Sequence, residues 1–243
     1  MKKFFPIIIL LLGVLVVVGV FFFLRSRKSE SGGGDEKVPE VAFADRPATS
    51  LTPSEDGHWL KLKVEKLKVK AKSLDYELLY NLPDGRTQGV PGTIELGNSQ
   101  AIERDLLLGS ESKGKYTYDE GVHEGTLTLK FRNEKGKLTA KFSTNFSLLS
   151  KTMDLASVDG KFTFALDKES DSFFVVMETF GAPDGYPSGS LVGPYGVFST
   201  QVKDVSGVVS LGSGSIYGYF GGNWTKLESV KSQNLGIFVG SSE

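Results

Sequence analysis

The sequence predicts an all-β protein, two antiparallel β-sandwich-like units, following a single N-terminal transmembrane helix. Three observations predict it. Residues 4–24 form an uncharged, apolar run bracketed by basic residues. Beyond residue 57 apolar side chains recur with period two, the spacing of half-buried strands. Gly is abundant at 29 residues, aromatics make 11%, and no long helical pattern appears outside the apolar run.

The apolar run opens at Phe4 and closes at Leu24, with Lys2 and Lys3 before it and Arg25, Arg27 and Lys28 after it. At about 1.5 Å per residue it would be roughly 31 Å long as a helix, enough to cross a hydrocarbon core. A cleaved signal peptide has a shorter apolar core and small residues at its exit. Here the exit is Phe21-Phe22-Phe23-Leu24, and Ala42-Phe43-Ala44 lies well beyond it. An uncleaved anchor is therefore expected, with residues 1–28 as anchor plus flanks and the lipid bilayer as its partner. With the α-amino group counted beside Lys2 and Lys3, positive charges balance at the two ends. Long C-terminal segments translocate largely regardless of charge, which favours the C-terminal part outside the cytoplasm, in a single-pass plasma-membrane protein.

Residues 29–56 read as a linker. Ser31-Gly32-Gly33-Gly34 is flexible, and Pro39, Pro47 and Pro53 stiffen the rest of the stretch. From Trp59, Leu60, Leu62 and Val64 alternate with charged residues. The apolar step to Leu67 is three, which places a bulge or corner at Glu65-Lys66. Tyr76, Leu78 and Tyr80 continue a strand that ends at the turn Pro83-Asp84-Gly85. The clearest hairpin joins Leu127, Leu129 and Phe131 to Leu138, Ala140 and Phe142 through residues 133–136. Residues 57–150 thus predict a sandwich of immunoglobulin or fibronectin type. Residues 151–157 read as a helical turn or a connector. Phe162, Phe164 and Leu166 would pair with the run 173–177. With the later strands they make a second β-rich unit, 151–243.

Net charge is −1, so no field for nucleic acid exists. The chain has no Cys, which removes thiolate nucleophiles and Cys-based zinc sites. Residues 57–150 carry 15 basic and 12 acidic groups, and residues 151–243 carry 6 and 10. Opposite signs favour docking of the halves, although values this small fall within ordinary scatter.

No catalytic motif appears. His58 and His123 are far apart in sequence and lack zinc spacing. His123 follows Asp119 and Glu120, a His–carboxylate set that could serve acid–base work, but it reads first as a solvated loop residue. No G-x-S-x-G, Walker A or G-x-G-x-x-G string is present. Asp167, Glu169 and Asp171 lack the register of a calcium loop and read as turn residues. No cofactor is expected. Two surfaces stand out as binding candidates. Lys61 and Lys63 would share one strand face, and Lys66, Lys68, Lys70 and Lys72 another. Such a stripe meets anionic polymers or headgroups, or simply guards an edge strand. Tyr186, Tyr195, Tyr217, Tyr219 and Trp224 lie among glycines and are either core or an aromatic contact surface.

Strings at residues 76–80, 88–94, 107–109 and 118–122, with Gly193-Pro194-Tyr195-Gly196 and Gly221-Gly222-Asn223-Trp224, resemble uncharacterised membrane-anchored proteins of small-genome candidate-phyla bacteria. The resemblance implies a bacterial cell-surface protein with an immunoglobulin- or fibronectin-like ectodomain, and it implies no activity. The expected function is a non-enzymatic binding, adhesion or envelope-assembly module whose partner is a cell-wall polymer or another envelope protein. The alternative is an envelope hydrolase with scattered carboxylates or a Ser. A signalling ectodomain is disfavoured by the few residues before the anchor.

Overall fold

The computed structural model describes residues 38–200, 205–212 and 214–242. The apolar run 4–24, with Phe4 and Leu24 at its ends, lies outside the described residues. Among the described residues no helix is long and apolar enough to cross a membrane. Val38–Glu243 form one compact unit, and every strand ladder in it is antiparallel.

The first half is built from β1 (Ala48–Pro53), β2 (Trp59–Glu65), β3 (Ser73–Asn81), β4 (Thr87–Glu95) and β5 (Ala101–Leu107), then β6 (Gly109–Ser112), β7 (Lys115–Tyr118), β8 (Glu124–Arg132) and β9 (Leu138–Leu149). The second half holds β10 (Thr152–Ala156), β11 (Phe162–Ser170), β12 (Phe174–Glu178), β13 (Ser190–Phe198), β14 (Gly207–Leu211), β15 (Ser215–Phe220), β16 (Asn223–Lys226), β17 (Lys231–Ser232) and β18 (Ile237–Ser242). One nine-stranded sheet, in the order β16-β15-β18-β13-β12-β9-β8-β3-β4, runs through both halves. A three-stranded sheet, β1-β2-β5, and a four-stranded one, β10-β11-β14-β17, complete the packing, and β6-β7 is a separate hairpin.

Period-two alternation decides which face each flanking sheet covers. On β12, Val175 and Met177 join the first core with Phe146 and Leu148 of β9. Phe174 and Val176 point the other way and join Phe162, Phe164 and Phe238 in the second core. The two flanking sheets therefore sit on opposite faces of the long sheet, and β12 is covered on both sides. Beyond the second core, the same face of β8 and β9 is bare and polar. There Thr126 bonds Asn145 at 2.9 Å and Thr128 faces Ser143 at 3.0 Å.

The expected hairpin β8–β9 is present, with Leu129 opposite Phe142, Phe131 opposite Ala140 and a register shift between Phe131 and Arg132. The corner after Glu65 is also present: β2 ends there, and Lys66 takes φ 58°. Four expectations are corrected. Ala48–Pro53, inside the stretch whose prolines predict a linker, is a strand, because Pro53 falls at its last residue, where no further ladder bond is needed. Residues 152–156, expected to be a helical turn or connector, form β10. The segments 162–166 and 173–177 do not pair. β11 pairs with β10 and β14, whereas β12 pairs with β9 and β13, so the chain crosses the second core between them. Gly193 and Pro194, in the Gly/Pro-rich stretch 181–196 whose composition predicts a series of turns, sit within β13, where the register with β18 shifts between Val192 and Tyr195.

Candidate functional site

One polar concavity lies where the polar face of β9 meets the turn between β10 and β11. It has a volume of about 250 Å³ and is lined by Ser143, Asn145, Ser157, Asp159, Glu178 and Tyr195. Each element places its side chain by alternation or by turn chemistry. Glu178 ends β12 on the second-core face, opposite Tyr195 of β13. Asp159 sits in a turn fixed by its own side chain. Its Oδ1 accepts bonds from Ser157 Oγ at 2.7 Å and from the Lys161 amide at 3.2 Å. Its Oδ2 accepts the Tyr195 hydroxyl at 2.7 Å and lies 3.4 Å from Lys161 Nζ.

The two carboxylates titrate in opposite directions. Partial burial pushes the Asp159 carboxyl up, but the hydrogen bonds from Ser157, Tyr195 and Lys161 outweigh it and hold the group at about 2. Burial raises Glu178 above the usual carboxylate range, and the negative Asp159 adds to the rise. Glu178 lines the concavity and is exposed to solvent. Among the described residues no side chain or amide hydrogen-bonds to it. Burial first, and the bond to Asp159 second, also push the Tyr195 phenol far up, so it stays a donor. Carboxylates with separated pKa values are what acid–base hydrolysis requires. Asp159, however, already accepts bonds at both oxygens, so it is a poor nucleophile or base. Glu178 is the acid left free for a ligand.

The lysines do not form one stripe. Lys61 and Lys63 are on β2, near Asp105 at 3.9 Å and Glu65 at 2.8 Å. The expected strand face for Lys66, Lys68, Lys70 and Lys72 does not exist, because the left-handed Lys66 ends the strand. Lys66 turns inward: its ammonium donates to the Ala182 carbonyl at 2.8 Å and pairs with Asp184 at 3.0 Å, with its side chain only 7% exposed. Lys68 reaches the same Asp184 at 3.4 Å, and Lys72 lies 3.8 Å from Glu95. Lys70 is exposed and, among the described residues, has no ion pair.

The aromatics divide as well. Tyr195 is core, stacked on Phe162 at 5.5 Å, with its hydroxyl in the cleft. Tyr217, Tyr219 and Trp224 are half-buried on the opposite face of the long sheet, Tyr219 lying 5.2 Å from Trp224. The Trp224 indole donates to the carbonyls of Pro183 and Asp184, closing the loop that also bonds Lys66. Tyr186 on that loop meets the Phe43 ring edge at 5.1 Å and the Lys66 ammonium at 5.6 Å.

Sequence reasoning singles out Tyr195 but misses Asp159 and Glu178, since a carboxylate in a turn and one at a strand end carry no motif. A second cleft, of about 290 Å³, brings Asp56 and His58 to the set Asp119, Glu120 and His123, a meeting that sequence reasoning misses. Among the described residues no group of His and acidic side chains is arranged to hold a metal ion. No family model, curated protein or solved structure matches this chain.

Proposed function

We propose that this chain is a membrane-tethered, extracytoplasmic binding module without catalytic activity, anchored by residues 4–24 and displaying its β head to the cell envelope. The observation that carries the reading is the Glu178 cleft: an open polar concavity in which Asp159 is committed to its own turn and Glu178 is not. Such a site fits a donor-rich group, hydroxyl or ammonium, on an envelope polymer. Lys70 supplies the contact to anionic segments of that polymer, joined by Lys61 and Lys72, whose carboxylate partners stand 3.9 and 3.8 Å away. In strand order, β1-β2-β5 over β4-β3-β8-β9 has the three-over-four arrangement of a fibronectin-type sandwich, a scaffold for binding loops.

The test is retention of the full-length chain on purified cell wall at low salt. Wild type should be retained and Glu178→Gln released. No retention of wild type removes the reading. Recovery of the native chain in the aqueous fraction of lysed cells removes the tether.

The split between Asp159 and Glu178 favours a second reading, an envelope hydrolase with Glu178 as proton donor. It requires release of new reducing ends or amines from cell wall by wild type, abolished in Glu178→Gln.

A further inference from the structure

The two halves open on the same hairpin. Ser54-Glu55-Asp56-Gly57-His58-Trp59 joins β1 to β2, and Ser157-Val158-Asp159-Gly160-Lys161-Phe162 joins β10 to β11. The hydrogen bonds repeat. Each serine hydroxyl bonds its aspartate, at 2.6 and 2.7 Å, and each aspartate accepts the amide two residues on, at 3.1 and 3.2 Å. Each serine Oγ also accepts the amide of the aromatic residue, at 3.0 and 3.1 Å. Both glycines are left-handed, at φ 74° and 69°. A third strand pairs on the second in each case, β5 on β2 and β14 on β11.

The copies differ in what surrounds the aspartate. In the second half Tyr195 and Lys161 occupy Oδ2 of Asp159. In the first half Oδ2 of Asp56 accepts no hydrogen bond from another described residue, and Asp56 lines the cleft shared with His58, Asp119, Glu120 and His123. Asp119 accepts the Tyr80 hydroxyl at 2.8 Å. The side chains of His58, Glu120 and His123 have no hydrogen-bond partner among the described residues. The cleft continues into an aromatic strip on the β6–β7 hairpin. Tyr118 lies flat on the His58 ring at 4.2 Å, Tyr116 is parallel to Tyr118 within 6°, and Trp59 meets Tyr116 edge-on at 5.6 Å. Tyr116 and Tyr118 remain 48% and 38% exposed.

We propose that this cleft and strip are a carbohydrate-binding site. A pyranose ring has one apolar face, whose C–H bonds carry slight positive charge and settle on the negative face of an aromatic ring. Its hydroxyls project sideways, each both donor and acceptor, and need mixed partners at the rim. Tyr116 and Tyr118 supply the ring faces. Asp56, Glu120, His58 and His123 supply acceptors and donors that the fold leaves unused. The three carboxylates in the cleft repel phosphate and other anions, which leaves neutral or amino sugars as the class. This site stands apart from the Glu178 cleft, and neither depends on the other.

The test is titration calorimetry of the full-length chain with tetramers of β-1,4-linked glucose and of β-1,4-linked N-acetylglucosamine. At least one should bind with millimolar affinity or better. Tyr118→Leu, which keeps apolar bulk but removes the π-face, and Tyr116→Ala should each weaken binding about tenfold. Loss of binding in Glu178→Gln with none in Tyr116→Ala or Tyr118→Leu would assign the sugar to the other cleft and overturn this proposal, so failure here is distinct from failure there. Melting temperature checks that each variant is folded. No binding of either tetramer, binding unchanged in Tyr118→Leu and Tyr116→Ala, or binding of a proline-rich peptide in place of both sugars overturns the proposal.

Discussion

Val175 and Val176, joined by one peptide bond, belong to different hydrophobic cores. Val175 packs with Phe146 and Leu148 beneath the three-stranded sheet, and Val176 packs with Phe162 and Phe238 beneath the four-stranded one. A single backbone thus serves as the wall of both cores.

That shared wall should make unfolding a single transition. Val175→Ala should cost about 2 kcal/mol and Phe174→Ala about 3–5 kcal/mol, through lost burial and the cavity left behind. Urea titrations read from Trp59 and from Trp224, each in a variant lacking the other indole, should give coincident midpoints in wild type and in both mutants. Separate midpoints would show that the halves melt independently.

Acid should weaken the second half through Asp159. Its carboxyl is held near 2 in the folded chain, against 3.8 ordinarily. Depression of a carboxylate contributes stability that is complete above the unfolded value and lost as pH falls toward the folded one. Stability should therefore drop between about pH 4 and pH 2, and Asp159→Asn should flatten that segment of the curve. Equal acid sensitivity in wild type and Asp159→Asn would refute the assignment.

Glu178 should act in the opposite sense. A carboxyl raised above its ordinary 4.5 destabilises the fold once ionised, so its effect grows as pH rises through the folded value. Glu178→Gln should raise the melting temperature at neutral pH and leave it unchanged at pH about 3, where the acid is protonated in both states. In carboxyl NMR, Asp159→Asn should move the Glu178 midpoint down by removing the negative neighbour.

The two copies of the serine–aspartate–glycine turn predict unequal responses to one change. A Cβ on Gly160 meets open space, so Gly160→Ala pays only for the left-handed backbone, about 1–2 kcal/mol. A Cβ on Gly57 would fall 2.6 Å from the Phe173 ring, and Gly57→Ala should cost more. Thermal melts of the two variants give the comparison directly, and equal losses would mean that Phe173 yields without cost.

Much of this architecture is legible in the chain. Alternation at Leu60, Leu62 and Val64, and at Leu127, Leu129 and Phe131, fixes which face each strand buries, because a pleat puts alternate side chains on opposite sides. The unbroken apolar run 173–177 also carries the signal of a strand covered on both faces. Its short distance from β11 imitates a hairpin, and only tertiary pairing with β9 corrects that. The clefts are harder to see. Asp159 and Tyr195 are 36 residues apart, and their meeting depends on a crossing between sheets that local pattern does not encode. The lysine stripe misleads for a local reason: one left-handed residue, Lys66, ends the strand and turns its own ammonium inward.

One of the two outermost strands of the long sheet, β4, lines up on only one neighbour among the described residues, β3. Its sequence reads Thr87-Gln88-Gly89-Val90-Pro91-Gly92-Thr93-Ile94-Glu95. Pro91 has no amide hydrogen to offer an incoming chain, and two glycines weaken the pleat beside it. At this edge, crowded copies of the molecule would thereby be kept from zipping together strand on strand.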